Sequence, residues 1–178
     1  MPFKAILGPN ALRQAIRRRE DSTERDQQTV HEAARLVFCV YHGIPVDEVR
    51  FSNGVPTVRY QSEYAFRDAH SLRNCIQMIM SGVITVQTVL GQENTLFDAS
   101  LREANQLYDL CQNNSGGTTQ GFGDVLSTCC KGAIAQMADP KMRSAISSVT
   151  RILNRERSDI RQADLQRLLQ HARAKLSS

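Results

Sequence analysis

Apolar residues recur at helical spacing along most of the chain, and one short stretch alternates instead. Leu12, Ala15 and Ile16 share one side of a helix over about Pro9 to Arg19. Val30, Ala33, Ala34, Val37, Phe38 and Tyr41 form the stripe of a second helix, from about Thr23 to Tyr41, which Gly43 and Pro45 end. From Ser62 to Met80 the apolar positions Tyr64, Ala65, Phe66, Ala69, Leu72, Cys75, Ile76, Ile79 and Met80 predict another helix, with a break at Gly82. The β-branched run from Val83 to Leu90 fits a buried strand or the middle of a buried helix, and its helical neighbours point to helix.

Three further stripes follow. Leu101, Ala104, Leu107, Tyr108 and Cys111 predict a helix from about Thr95 or Asp98 to Cys111, and Val125, Leu126, Cys129, Ala133, Ile134 and Met137 one from about Asp124 to Ala138. Asp139-Pro140 reads as an Asx cap with proline at the first helical position, opening a helix with Met142, Ile146, Val149, Ile152 and Leu153 inward. Ser158 is the expected cap of the last helix, whose stripe is Ile160, Leu165, Leu168, Leu169, Ala172 and Leu176.

The alternating stretch is Val46 to Phe51, then Ser52-Asn53-Gly54, then Val55 to Tyr60. Asn-Gly between two such runs predicts a β-hairpin, and Pro56 assigns at least one of its strands to an edge. A lone hairpin is marginally stable, so this one must pack on the helices or pair with a partner. The fold class is therefore mainly α-helical: a compact bundle of six or seven helices with one hairpin. Residues 1–22 read as a basic N-terminal arm or short helix, and residues 23–178 as a single helical domain with the hairpin near 46–60.

Composition agrees with that fold. The chain has 178 residues, 41% of them hydrophobic, but no Trp and few aromatics, so aliphatic side chains must fill the core. Five widely spaced cysteines, Cys39, Cys75, Cys111, Cys129 and Cys130, do not resemble a secreted disulfide framework. No apolar run reaches the ~20 residues needed to cross a bilayer. The opening Met1 to Gly8 is too short for a signal-peptide core. The expected setting is intracellular, cytoplasmic or nuclear.

Charge changes the picture most. Residues 131–178 contain ten Lys/Arg against four Asp/Glu, whereas residues 36–130 contain five against nine. Arg151, Arg155, Arg157 and Arg161 cluster around the break between the last two helices, and Arg167, Arg173 and Lys175 continue along the final one. Arginine suits phosphate because its planar fork donates paired hydrogen bonds. Arg17, Arg18 and Arg19 form a second basic run, countered at once by Glu20 and Asp21. The plainer alternative is a solvated helical face, because Glu156, Asp159 and Asp164 lie close enough to offset several arginines.

Catalytic and cofactor signals are weak by comparison. The stretch from Gly116 to Gly123 has no lysine until Lys131 and no strand leading in, so it lacks the elements of a phosphate-cradling Walker loop. Cys39 and His42 have a Cys-X-X-His spacing, but no second close pair completes a zinc site. His31-Glu32, Asp68-Ala69-His70 and Cys75 supply reactive residue types without a motif, and the five-residue step from His70 to Cys75 is a poor helical offset for contact. No metal, cofactor or catalytic residue is assigned. The expected activity is non-enzymatic: an assembly protein, coat- or nucleocapsid-like, that self-associates and binds RNA or DNA through its basic end. The alternatives are a helical adaptor for an acidic protein partner and a small intracellular helical enzyme.

Overall fold

The computed structural model describes residues 9–91, 96–115, 118–156 and 158–178, with side chains from residue 25 onward apart from Ser115. Six helices and one hairpin follow in the order α1 (Pro9–His42), β1 (Val46–Ser52), β2 (Val55–Tyr60), α2 (Ala69–Leu90), α3 (Phe97–Ser115), α4 (Phe122–Met137), α5 (Pro140–Arg155) and α6 (Gln162–Ser177). A 3-10 helix, Ser62–Phe66, precedes α2. Among the described residues no helix is long and apolar enough to cross a membrane.

α2 is the centre of the bundle. It is buried on almost every side, from Ser71 through Val86, and packs against α1, α3 and α4. A helix covered all round needs small and apolar residues all round, and Ile76, Met78, Ile79, Met80 and Val83 supply the apolar ones. α5 closes the other side of α1 and carries α6 with it.

The hairpin forms where its sequence predicts. Asn53 and Gly54 take φ of 52° and 74°, the left-handed pair of a type I′ turn. Val49 faces Val58 across the ladder and both are buried. The Val49 N–H donates to the Ile160 carbonyl at 3.0 Å, and the Ile160 N–H returns a bond at 2.8 Å. Both polar groups of Val49 therefore point away from β2, which makes Val49–Val58 a non-hydrogen-bonded pair. Phe51 and Pro56 are also paired, two residues further along the ladder. The missing N–H of Pro56 would thus face outward, and the ladder loses nothing.

Four local expectations are corrected. The two N-terminal helices are one helix, α1, because no glycine or proline interrupts Arg19 to Thr23. The predicted helix from Ser62 is split, since Asp68 caps α2 by accepting the Ser71 N–H at 2.6 Å. Gly82 breaks nothing: α2 runs through it to Leu90. Ser158 does not cap the last helix, and Ile160 is not in it, because Ile160 adds to the β1 edge and α6 starts only at Gln162.

Candidate functional site

α5 is built as the sequence suggests. The Asp139 side chain accepts the Lys141 N–H at 2.8 Å, and Pro140 opens the helix. Met142, Ala145, Ile146, Val149 and Leu153 are buried. The opposite side is exposed and basic, with Lys141, Arg143, Arg151 and Arg155 together with the hydroxyls of Ser144 and Ser147. α5 contains no Asp or Glu, and none of its four cations has an ion pair among the described residues. At 100° per residue, Arg143, Ser144, Ser147, Arg151 and Arg155 fall within an arc of about 120°. From Lys141 to Arg155 the helix rises about 21 Å.

The other basic residues singled out in the sequence do not join this face equally. Arg161 turns toward the hairpin, with Nε 2.5 Å from Glu48 Oε2 and Nη2 3.0 Å from Asp159 Oδ2. Arg167 pairs with Asp164 on α6 at 3.2 Å. Arg173 is exposed and Lys175 half-buried in the last turns of α6. Arg167 and Arg173 are six residues apart, about 120° around the helix, so the α6 cations do not form one stripe. Arg157 and the side chains of Arg17, Arg18 and Arg19 lie outside the described residues. Sequence reasoning missed Lys141 and Arg143; the four-residue steps Arg143, Ser147, Arg151 and Arg155 are the signal that adds Arg143 to the pair Arg151 and Arg155.

A second polar constellation lies inside the protein. His31 Nδ1 is 3.0 Å from Glu32 Oε1, and His31 Nε2 is 3.1 Å from Ser100 Oγ. Glu32 Oε2 accepts the Val58 N–H at 2.7 Å, and Arg35 lies 3.6 Å from Glu32 Oε1. Arg35 donates to Glu103 Oε1 at 2.6 Å, where the Tyr60 hydroxyl also donates at 3.1 Å. Burial alone would raise the Glu32 pKa, but the Arg35 guanidinium, His31 and the Val58 N–H together hold it below the ordinary carboxylate value. Burial works against the charge of Arg35, yet Glu32 and Glu103 keep that charge more firmly in place. Tyr60 is pushed up by burial and by Glu103.

Ser100, His31 and Glu32 stand in the order of a nucleophile relay. They are 3%, 3% and 1% exposed, so no substrate reaches them in this arrangement. Their chemistry here is structural: they connect α1 to α3 and to the inner edge of β2. Cys75, the other reactive type considered, is buried and its pKa is pushed up to about 12 by burial and by Cys111, so its thiolate is scarce.

Two open grooves lie among the described residues. One, of about 490 Å³, runs between α5, the 158–161 segment and α6, with Ile152, Ile160 and Leu168 as its floor and Asp164, Arg167 and His171 around it. His171 Nε2 lies 2.7 Å from Ser148 Oγ. The other, of about 390 Å³, opens beside Arg35, Arg59, Tyr60 and Glu103. Both mix charges of the two signs and neither concentrates one chemistry. In the glycine-rich connection, Gly116 and Gly117 lie outside the described residues; the Gln120 carbonyl accepts the Tyr108 hydroxyl at 2.6 Å, tying the end of that segment to α3. No protein-family model matches the chain, and no curated protein is significantly similar to it in sequence.

Proposed function

We propose that this protein is a non-enzymatic assembly component that binds nucleic acid through the outer face of α5. The observation that carries this reading is the composition of that face: four exposed cations and two exposed hydroxyls on one helix, with no carboxylate among them. Charges held on a rigid helix and left without an ion pair among the described residues keep their attraction for a polyanion. The face has no exposed aromatic ring, which favours phosphate contact over base reading.

None of the five cysteines forms a disulfide, which accords with a reducing, intracellular setting. Exposed Tyr41, Leu110 and Ile134 offer apolar surface for self-association. An adaptor that added a strand at β1 would have to displace Ile160, and one at β2 would meet Pro56, which has no N–H, and a Val58 N–H already given to Glu32, which makes that route the weaker reading.

The test is fluorescence anisotropy of a labelled ten-nucleotide single-stranded RNA against the full chain over a range of salt, with mass in solution measured in parallel. Binding is expected to weaken steeply with salt and to fall at least tenfold in R143A/R151A/R155A. Unchanged affinity in that variant, or a wild-type protein that does not bind, refutes the reading.

A further inference from the structure

Glu48 stands at the centre of three arginines drawn from different parts of the chain. Its Oε1 accepts from Nε of Arg50, two residues along β1, and lies 4.0 Å from Nε of Arg59, its register partner on β2. Its Oε2 lies 2.5 Å from Nε of Arg161, which the Ile160–Val49 pairing brings to the hairpin. Glu48 is nearly buried, its side chain 12% exposed, whereas the three arginine side chains are 49%, 57% and 53% exposed.

Among the described residues the other carboxylate in the cluster is Asp159, which pairs with Arg161 and accepts the Phe51 N–H at 2.7 Å. Three guanidiniums against two carboxylates leave an excess of positive charge. Each arginine approaches Glu48 through Nε, so the terminal amino groups of the half-exposed Arg50 and Arg59 are not used in holding Glu48. A shared carboxylate also opposes the mutual repulsion that would otherwise splay three like charges.

We infer that this cluster is a phosphate-binding site in which Arg50, Arg59 and Arg161 take one backbone phosphate of a nucleic-acid strand and Glu48 is the positioning residue. The inference rests on the nucleic-acid reading and extends the α5 surface onto the hairpin. Arg155 ends α5 and Arg161 follows six residues later, so their Cα atoms are at most about 22 Å apart, within the span of one short strand. Guanidinium forks fixed in place by a carboxylate suit a phosphate better than mobile lysines do, because fewer rotamers are lost per bond formed.

The experiment uses the full chain, a labelled ten-nucleotide RNA and a salt titration, with circular dichroism to establish that each variant is folded. R50A/R59A leaves Arg161 on Glu48. It is expected to bind about tenfold more weakly, with a salt slope shallower by about 0.7, the contribution of one single-strand phosphate. R50K/R59K keeps the charge without the fork and is expected to hold the slope while losing affinity. E48Q removes a negative charge yet is expected to weaken binding, because the three guanidiniums lose their shared anchor. Tighter binding by E48Q would make Glu48 a neutralising group and overturn its positioning role. Unchanged binding by R50A/R59A, with R143A/R151A/R155A impaired, sinks the cluster and leaves the α5 reading standing. The reverse result keeps the cluster and sinks α5, and a wild-type chain that ignores the RNA sinks both.

Discussion

His31 lies directly on Gly82: a methyl group at Gly82 would sit 2.4 Å from His31 Cδ2 and 2.7 Å from Nε2. The absence of a side chain on α2 lets the histidine of α1 reach past it to Ser100 on α3. Gly82 thus belongs to the packing of three helices, although it sits in the middle of one.

Gly82→Ala is expected to destabilise the protein by about 1–3 kcal/mol, the cost of overpacking a buried contact. A glycine-to-alanine change inside a helix ordinarily stabilises by up to ~1 kcal/mol, so the sign is the test. Urea unfolding of the two proteins measures it, and a variant as stable as wild type would show that the α1–α2 contact yields easily.

Arg35 holds the internal charges together. Arg35→Met is expected to cost about 3–5 kcal/mol, because Glu32 stays buried beside β2 with its cation gone. Glu103→Gln, at the half-exposed end of the same network, is expected to cost much less. Equal losses in thermal unfolding would contradict the assignment of Glu32 as the buried charge that needs Arg35.

Acid should weaken the fold in two stages. Burial, and then the neighbouring His70, lower the His42 pKa from 6.5 to about 4. Between those values the unfolded chain binds a proton that the native protein does not, so stability falls as pH drops from 6.5 toward 4. The loss is on the order of 2 kcal/mol once partial solvent screening is allowed for. Below about pH 4.5 protonation of Glu32, whose native pKa is lowered, removes more. His42→Phe keeps a ring beside Phe38 and Tyr41 and should flatten the upper stage alone in a pH series of urea midpoints.

The thiols should separate by access. Cys130 is partly exposed, whereas Cys39, Cys75, Cys111 and Cys129 are buried. Burial pushes Cys75 and Cys129 each up to about 12 and Cys39 higher still. Iodoacetamide followed by mass spectrometry is expected to label Cys130 first and Cys39 only on unfolding. Early labelling at Cys39 would mean that α1 opens locally.

The basic end is where local pattern and spatial arrangement part company. Arg151 and Arg155 were legible as an exposed pair because both fall opposite the stripe of Met142, Ile146, Val149 and Leu153. Arg161 and Arg167 look equivalent in sequence, but Glu48 and Asp164 take them. Asp164 is three residues from Arg167 and can be anticipated; Glu48 is more than a hundred residues from Arg161, and no local rule connects them.

The helical stripes, the Asp139-Pro140 start of α5 and the Asn53-Gly54 turn can be read locally, since each depends on residues within one or two turns of chain. Three-dimensional packing is what makes Ile160 leave the last helix to pair with Val49, carries α2 through Gly82 under His31, and brings Glu32, Arg35 and Ser100 into one interior with Glu103 at its half-exposed end. Those outcomes depend on which surfaces meet. Burial of a charge or a close approach of two helices becomes favourable only when the partner arrives from elsewhere in the chain.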